Sequence, residues 1–136
     1  MTIRLIRRPA GLGEPLGRYS HVSIGHGDIV ALAGQVGKDQ DGQLAGSDLR
    51  SQVRQAYLNV GAALAAVGCE YGDILRMTTY LVNSDHIEEF MSARAAVFAE
   101  LFPSGEYPPN TLVVVSRLVE ANLLIEVEAL AVLSER

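Results

Sequence analysis

The sequence predicts an α+β fold, a mixed sheet with two helices on one face. Three observations carry this. Two segments place apolar residues at three- and four-residue steps, as packed helices require. Shorter runs rich in β-branched residues flank them, so the order reads β-β-β-α-β-α-β-β, with hairpins expected at both ends. The last run alternates cleanly. Ile125, Val127, Ala129 and Ala131 point one way, and Leu124, Glu126, Glu128, Leu130 and Val132 point the other.

Near the front, residues 11–17 (GLGEPLG) read as a loop between two strands. Residues 19–25 form the next strand. Gly25-His26-Gly27-Asp28 is a turn signal, and residues 29–33 return as the partner strand of a hairpin. Residues 34–46 are polar and glycine-rich, hence a loop. Ser47 or Asp48 caps a helix, because a short side-chain oxygen satisfies free N–H groups of the first turn. Leu49, Val53, Tyr57, Val60, Leu64 and Val67 form its apolar stripe, and Gly68 ends it. Residues 73–82 are a strand. Asn83 and Ser84 cap a second helix whose apolar side is Ile87, Phe90, Met91, Phe98 and Leu101, and Pro103 stops it. Two strands close the chain.

Not every strand shows water a polar face. Residues 29–33 (IVALA) are apolar on both faces, and the second face of the last strand is half apolar. A sheet covered by helices on one side should present polar groups on the other. A further partner is therefore expected, and a second copy of the same chain is the simplest one.

Bulk properties narrow the function. A chain of 136 residues suits one domain, residues 1–136. Its net charge of −5 argues against nucleic acid as a partner, since phosphate binding needs a positive surface. Arg4, Arg7 and Arg8 read as a solvated strand edge. The single cysteine, Cys69, cannot form a disulfide within the chain, which fits a reducing compartment such as the cytoplasm. No apolar run reaches membrane-spanning length, so no membrane partner is expected, and the N-terminus lacks the pattern of a secretory signal.

Few residues carry candidate chemistry. His21, His26 and His86 lack ligand spacing and there is no second cysteine, so no metal site is expected. Cys69 has no basic neighbour in sequence and reads as structural. Neither a phosphate-binding glycine loop nor a GxSxG elbow is present. Glu126 and Glu128 remain. They are either two solvated acids, or one of them stands at the mouth of a subunit interface. There, partial burial would raise its pKa and equip it as a general acid or base. Tyr19 and Tyr107 read as core residues or as aromatics lining a cleft.

From Tyr19 to Val132 the chain resembles the Rid family, the YjgF-type reactive intermediate (enamine/imine) deaminases. The marks are Gly17-Arg18-Tyr19, Ala33-Gly34-Gln35-Val36, residues 52–60 (QVRQAYLNV), Gly72-Asp73-Ile74-Leu75, and residues 125–131 (IEVEALA). No single piece is decisive; their order and spacing carry the likeness. The resemblance implies a chorismate-mutase-like α+β domain assembled as a homotrimer. A central barrel-like core and clefts between subunits would hold a small-molecule ligand. It implies imine hydrolysis without cofactor or metal, with Glu126 orienting the water and Tyr19 lining the cleft.

The chain departs from that pattern at the substrate clamp. Deaminases of the family read Pro-Ala-Arg-Ser where this chain has Pro108-Pro109-Asn110-Thr111. Their arginine is replaced by Asn110, the cysteine two residues on by Leu112, and the serine after the second hairpin strand by Ala33. Asparagine cannot form a bidentate charged clamp, so weak or no activity on 2-imino acids is expected. Arg94 and Arg117 are the candidate replacement cations, although strand parity turns Arg117 to the face opposite Asn110.

The expected function is hydrolysis of small imines or enamines at intersubunit clefts. Glu126 is its catalytic residue, and Tyr19, Ala33, Asn110, Thr111 and Leu112 shape the ligand site. The alternative is a non-catalytic trimer that binds a small metabolite. A ribonuclease or translation-inhibitor role is disfavoured by the net charge of −5.

Overall fold

The computed structural model describes residues 3–134; residues 1, 2, 135 and 136, the ends of the expected domain, lie outside the described residues. The element order is the expected one. Strands are β1 (Ile3–Ile6), β2 (Val22–Gly25), β3 (Asp28–Val36), β4 (Ile74–Leu81), β5 (Asn110–Val114) and β6 (Ile125–Leu133). The helices are α1 (Leu49–Ala65) and α2 (Ile87–Leu101).

Neither expected hairpin forms. β2 pairs with β1 in a two-stranded ribbon, while the main sheet runs β3-β6-β4-β5. β3 and β6 are both nine residues long and antiparallel, and together they outcompete the four-residue β2 as partners. Gly27 turns the chain between the two sheets at φ +138°, with its α-carbon pressed on the Leu133 backbone. A Cβ there would stand 2.3 Å from the Leu133 carbonyl oxygen, so only glycine fits the turn. At the other end, β5 pairs in parallel with β4, the two being joined through α2, and β6 enters on the far side of β4. The sheet is mixed, as expected.

Strand ends also shift. Residues 19–21 precede β2, because the Tyr19 amide turns back to the Gly17 carbonyl at 3.0 Å. β3 continues through residues 34–36, beyond an irregularity in register between Leu32 and Gln35. β5 stops at Val114, so strand parity does not apply to Arg117, whose guanidinium bonds the Leu118 and Val119 carbonyls.

Both helix starts follow from side-chain capping. Asp48 accepts the Ser51 amide at 3.0 Å. Asn83 caps a single 3₁₀ turn over Ser84–His86, after which α2 begins at Ile87. Each helix ends in a way its sequence explains. Gly68 adopts φ +82° just past α1, and Pro103 follows α2 by two residues.

The core lies between the helices and one face of the main sheet. Val53, Tyr57, Val60 and Leu64 of α1 and Phe90, Val97 and Phe98 of α2 meet Leu32, Met77, Leu81, Ile125, Val127 and Ala131. Val67 falls beyond the helix and is exposed. Tyr107 belongs to this core, stacked on Phe98 with ring centroids 5.6 Å apart.

Two polar residues of α1 hold the chain around it. Gln52 is fully buried; its amide donates to the Gly46 and Asn122 carbonyls and accepts from the Leu124 amide, at 3.0, 3.0 and 2.8 Å. Two turns on, Asn59 donates to the Val36 and Lys38 carbonyls at 2.9 and 2.7 Å. These bonds fasten the β3–α1 and β5–β6 connections to one helix face, and they explain why these polar residues recur in an otherwise apolar stripe.

Candidate functional site

Asn110 opens β5 directly after Pro108 and Pro109, whose fixed φ delivers the chain to the sheet edge. In the β4–β5 register Asn110 stands beside Met77 and Leu112 beside Thr79, so both side chains share the helix face. The Asn110 carbonyl oxygen accepts the buried Thr79 hydroxyl at 2.8 Å. Thr111 alternates to the opposite face, beside Thr78.

A cleft of about 550 Å³ opens here, lined by Leu16, Tyr19, His21, Met91, Arg94 and residues 109–112, among others. The 15–21 segment forms its outer wall and is tied in place. Ser20 donates to the Tyr107 carbonyl at 2.6 Å, and the Tyr19 hydroxyl accepts the Leu16 amide at 3.0 Å. Tyr19 is therefore a cleft aromatic, edge-on to His21, whereas Tyr107 is core. His21 bonds the Gly13 carbonyl through Nε2.

Arg94, one of the two candidate replacement cations, lines the cleft of its own chain and is 1% exposed. Its head lies over the Phe90 and Phe98 rings, at 4.9 and 5.7 Å from their centroids, and Nη2 contacts the Met91 sulfur at 3.1 Å. Among the described residues no carboxylate pairs with it, and its buried Nε has no hydrogen-bond partner. Burial holds its pKa below the ordinary arginine value, and the nearby Arg18 adds to the effect. Cation–π contact contributes about 2 kcal/mol when desolvated, less than the several kcal/mol that burial of an ion costs. A sequence signal existed. Position 94 follows Phe90 by four residues and precedes Phe98 by four, so it lies in the apolar stripe.

Glu126 lies on the other face. It stands beside Val36 on one side and Tyr80 on the other, with its carboxylate over Gly34. A Cβ at Gly34 would stand 2.0 Å from Oε2, so the bare glycine makes room for the acid. Ala33 precedes it, exposed, at the irregular part of β3. Burial first, and repulsion from Glu128 second, raise the Glu126 pKa above the ordinary carboxylate value. Glu128 is engaged by the Tyr80 hydroxyl, which donates to it. Of the two acids, only Glu126 has no hydrogen bond or ion pair described.

The structure thus separates the expected site residues into two groups. Tyr19, Asn110 and Leu112 line the cleft on the helix face, with Thr111 at its rim. Ala33 and Glu126 lie on the outer face. β4 stands between β5 and β6, which places the two strands about 10 Å apart at ordinary strand spacing. Within one chain the sheet itself stands between the two groups. Among the described residues no cluster of His, Cys, Asp and Glu is suited to a metal ion, and no helix is long and apolar enough to cross a membrane. Arg7 and Arg8 pair with Glu14 at the surface, as expected of a solvated edge.

Comparison with known proteins fits this geometry. The family model described as Endoribonuclease L-PSP matches residues 10–133. A RutC family protein of Pyrococcus horikoshii is 34% identical over 119 residues, covering 87% of this chain and 89% of its own. A 2-iminobutanoate/2-iminopropanoate deaminase of Salmonella typhimurium is 30% identical over 131 residues, covering 96% of each. Among solved structures, a protein of unknown function of the conserved Rid family from Yersinia pestis superposes with TM-score 0.86 at 28% identity, covering 98% of this chain and 100% of that one. With these two helices, this mixed sheet and a family match over nearly its whole length, the chain belongs to the Endoribonuclease L-PSP family, the group of the YjgF and Rid proteins.

Proposed function

We propose that this protein hydrolyses small imines or enamines in clefts formed where copies of the chain meet. The observation that carries the reading is the division of the site residues between opposite faces of one sheet. A second copy laid against the first brings the Glu126 face of one chain to the Tyr19–Asn110 cleft of the other. The outer face is suited to such contact. Ile29 is 76% exposed there, with Ala31, Leu130 and Val113 on the same side. A closed homotrimer with the outer sheet faces forming a barrel-like core is the assembly we favour.

In this cleft the Glu126 carboxylate accepts a hydrogen bond from a water and aims it at the C=N carbon. A C–O bond forms, the nitrogen takes up the proton, and the resulting carbinolamine releases ammonia and leaves a carbonyl. Water is the only co-reactant, and no cofactor or metal is required. Tyr19, Thr111, Leu112 and Ala33 shape the pocket. Asn110 holds its hydrogen bond to Thr79 and offers no charge, so a short 2-imino acid loses the clamp that deaminases of the family place here.

An amino-acid or amine oxidase coupled to imine trapping tests this. Added protein is expected to speed disappearance of at least one small imine, with 2-iminopropanoate slower than for a deaminase that carries the arginine. No acceleration of any imine, together with ligand-induced thermal shifts, would instead support a metabolite-binding trimer, the reading that the loss of the clamp at Asn110 favours.

A further inference from the structure

Arg94 has no assigned part in the chemistry above, and its setting is unusual for an arginine. It is 1% exposed, its Nε is unpartnered, no carboxylate of the described residues pairs with it, and it lines the cleft beside Asn110 and Tyr19. Aromatic faces cover part of the guanidinium, Nη2 donates to the Met91 sulfur, a weak acceptor, and the Tyr57 hydroxyl lies nearby, but among the described residues no anion meets the charge. The wall opposite is cut back to receive it. Gly17 packs so closely that a Cβ there would lie 2.7 Å from Nη2. A fixed, desolvated donor edge of this kind is matched by a planar oxyanion.

We propose that Arg94 is the anion-anchoring residue of this cleft, so that a small carboxylate binds there without an arginine at position 110. The inference deepens the reading above and rests on it for the location of the cleft. Arg94 is more deeply buried than Asn110. A carboxylate held on it is drawn inward, away from the edge where the Glu126 face of a second copy would lie. Short imino acids are then bound but poorly placed for attack, and longer ones place the reacting carbon better. Binding and turnover separate, which reconciles an anion-binding cleft with slow hydrolysis of 2-iminopropanoate.

Binding of unreactive probes tests this independently of turnover. Calorimetry on the purified full chain would compare pyruvate with pyruvamide, its neutral counterpart. The expected result is pyruvate binding at least tenfold tighter than the amide. In Arg94→Met that preference should vanish, with the ligand-free melting temperature equal or higher, because an unpaired buried charge has been replaced by an apolar side chain. Arg94→Lys should retain part of it. Equal binding of acid and amide by the wild-type protein overturns the proposal, and so does no binding of pyruvate at millimolar concentration. Those comparisons need no variant to fold. A preference unchanged in Arg94→Met also overturns it, leaving Arg94 as a core-filling residue. Pyruvate binding lost in Arg94→Met while no imine is hydrolysed would sustain this inference and sink the proposed hydrolysis. Imine hydrolysis without the carboxylate preference would do the reverse.

Discussion

Replacing Glu126 with glutamine is expected to lower imine hydrolysis about a hundredfold or more, the usual contribution of a positioned base. Glutamine keeps the shape over Gly34 and loses the negative charge on which the proposed hydrolysis relies. The loss should not be a folding defect. Because the folded-state pKa of Glu126 is raised, the folded chain holds its proton more tightly than the unfolded chain does. Stability from this group is therefore present at low pH and is lost as pH rises from the unfolded value of about 4.5 through the raised one. At neutral pH Glu126→Gln should melt no lower than the wild type, and any advantage should shrink below the ordinary carboxylate range. Thermal melts from pH 4 to 8 check the sign. Activity should show the opposite slope, rising with pH as the carboxylate ionises. A variant that melts normally and still hydrolyses imines would remove Glu126 from the mechanism.

The largest effect on stability is expected at Gln52. Gln52→Ala removes three part-buried hydrogen bonds, to the backbones of Gly46, Asn122 and Leu124 on two connections, and leaves a fully buried site unfilled. A cost of about 2–4 kcal/mol follows from leaving such groups unsatisfied. For a chain of this size that is a fall in melting temperature of roughly 10 °C. The exposed neighbour Arg54, which pairs with Glu100 at the surface, serves as a control, because breaking an exposed pair changes stability little. Chemical denaturation of both variants separates the two cases. Equal stabilities would mean that water replaces the Gln52 bonds.

Much of this molecule is legible in its residues, and what is not has physical causes. Helix stripes, caps and the parity of β6 follow from local periodicity, and they locate the core and the outward direction of Glu126. Strand partnering does not. β3 bonds to β6 rather than to β2, and β5 to β4 rather than to β6, because pairing depends on strand length and on where a crossover returns the chain. Gln52 and Arg94 lie inside apolar stripes where a polar residue reads as an interruption. Their roles depend on partners remote in sequence, the Asn122 carbonyl for one and the 15–21 wall for the other. The proline turn delivers Asn110 to the start of β5, where it lines a cleft of its own chain. That Glu126 lies on the opposite face of the same sheet needed the strand order.

The central claim is that each cleft is completed by a second copy. Two variants impaired for different reasons test it most directly: Glu126→Gln, and Tyr19→Ala on the opposite half-site. Unfolded together and refolded, a mixed assembly brings some wild-type Glu126 faces against wild-type Tyr19 clefts. Imine hydrolysis well above that of either variant refolded alone is the result this account predicts. Activity equal to the average of the two parents, in assemblies shown by mass to contain both chains, would contradict it.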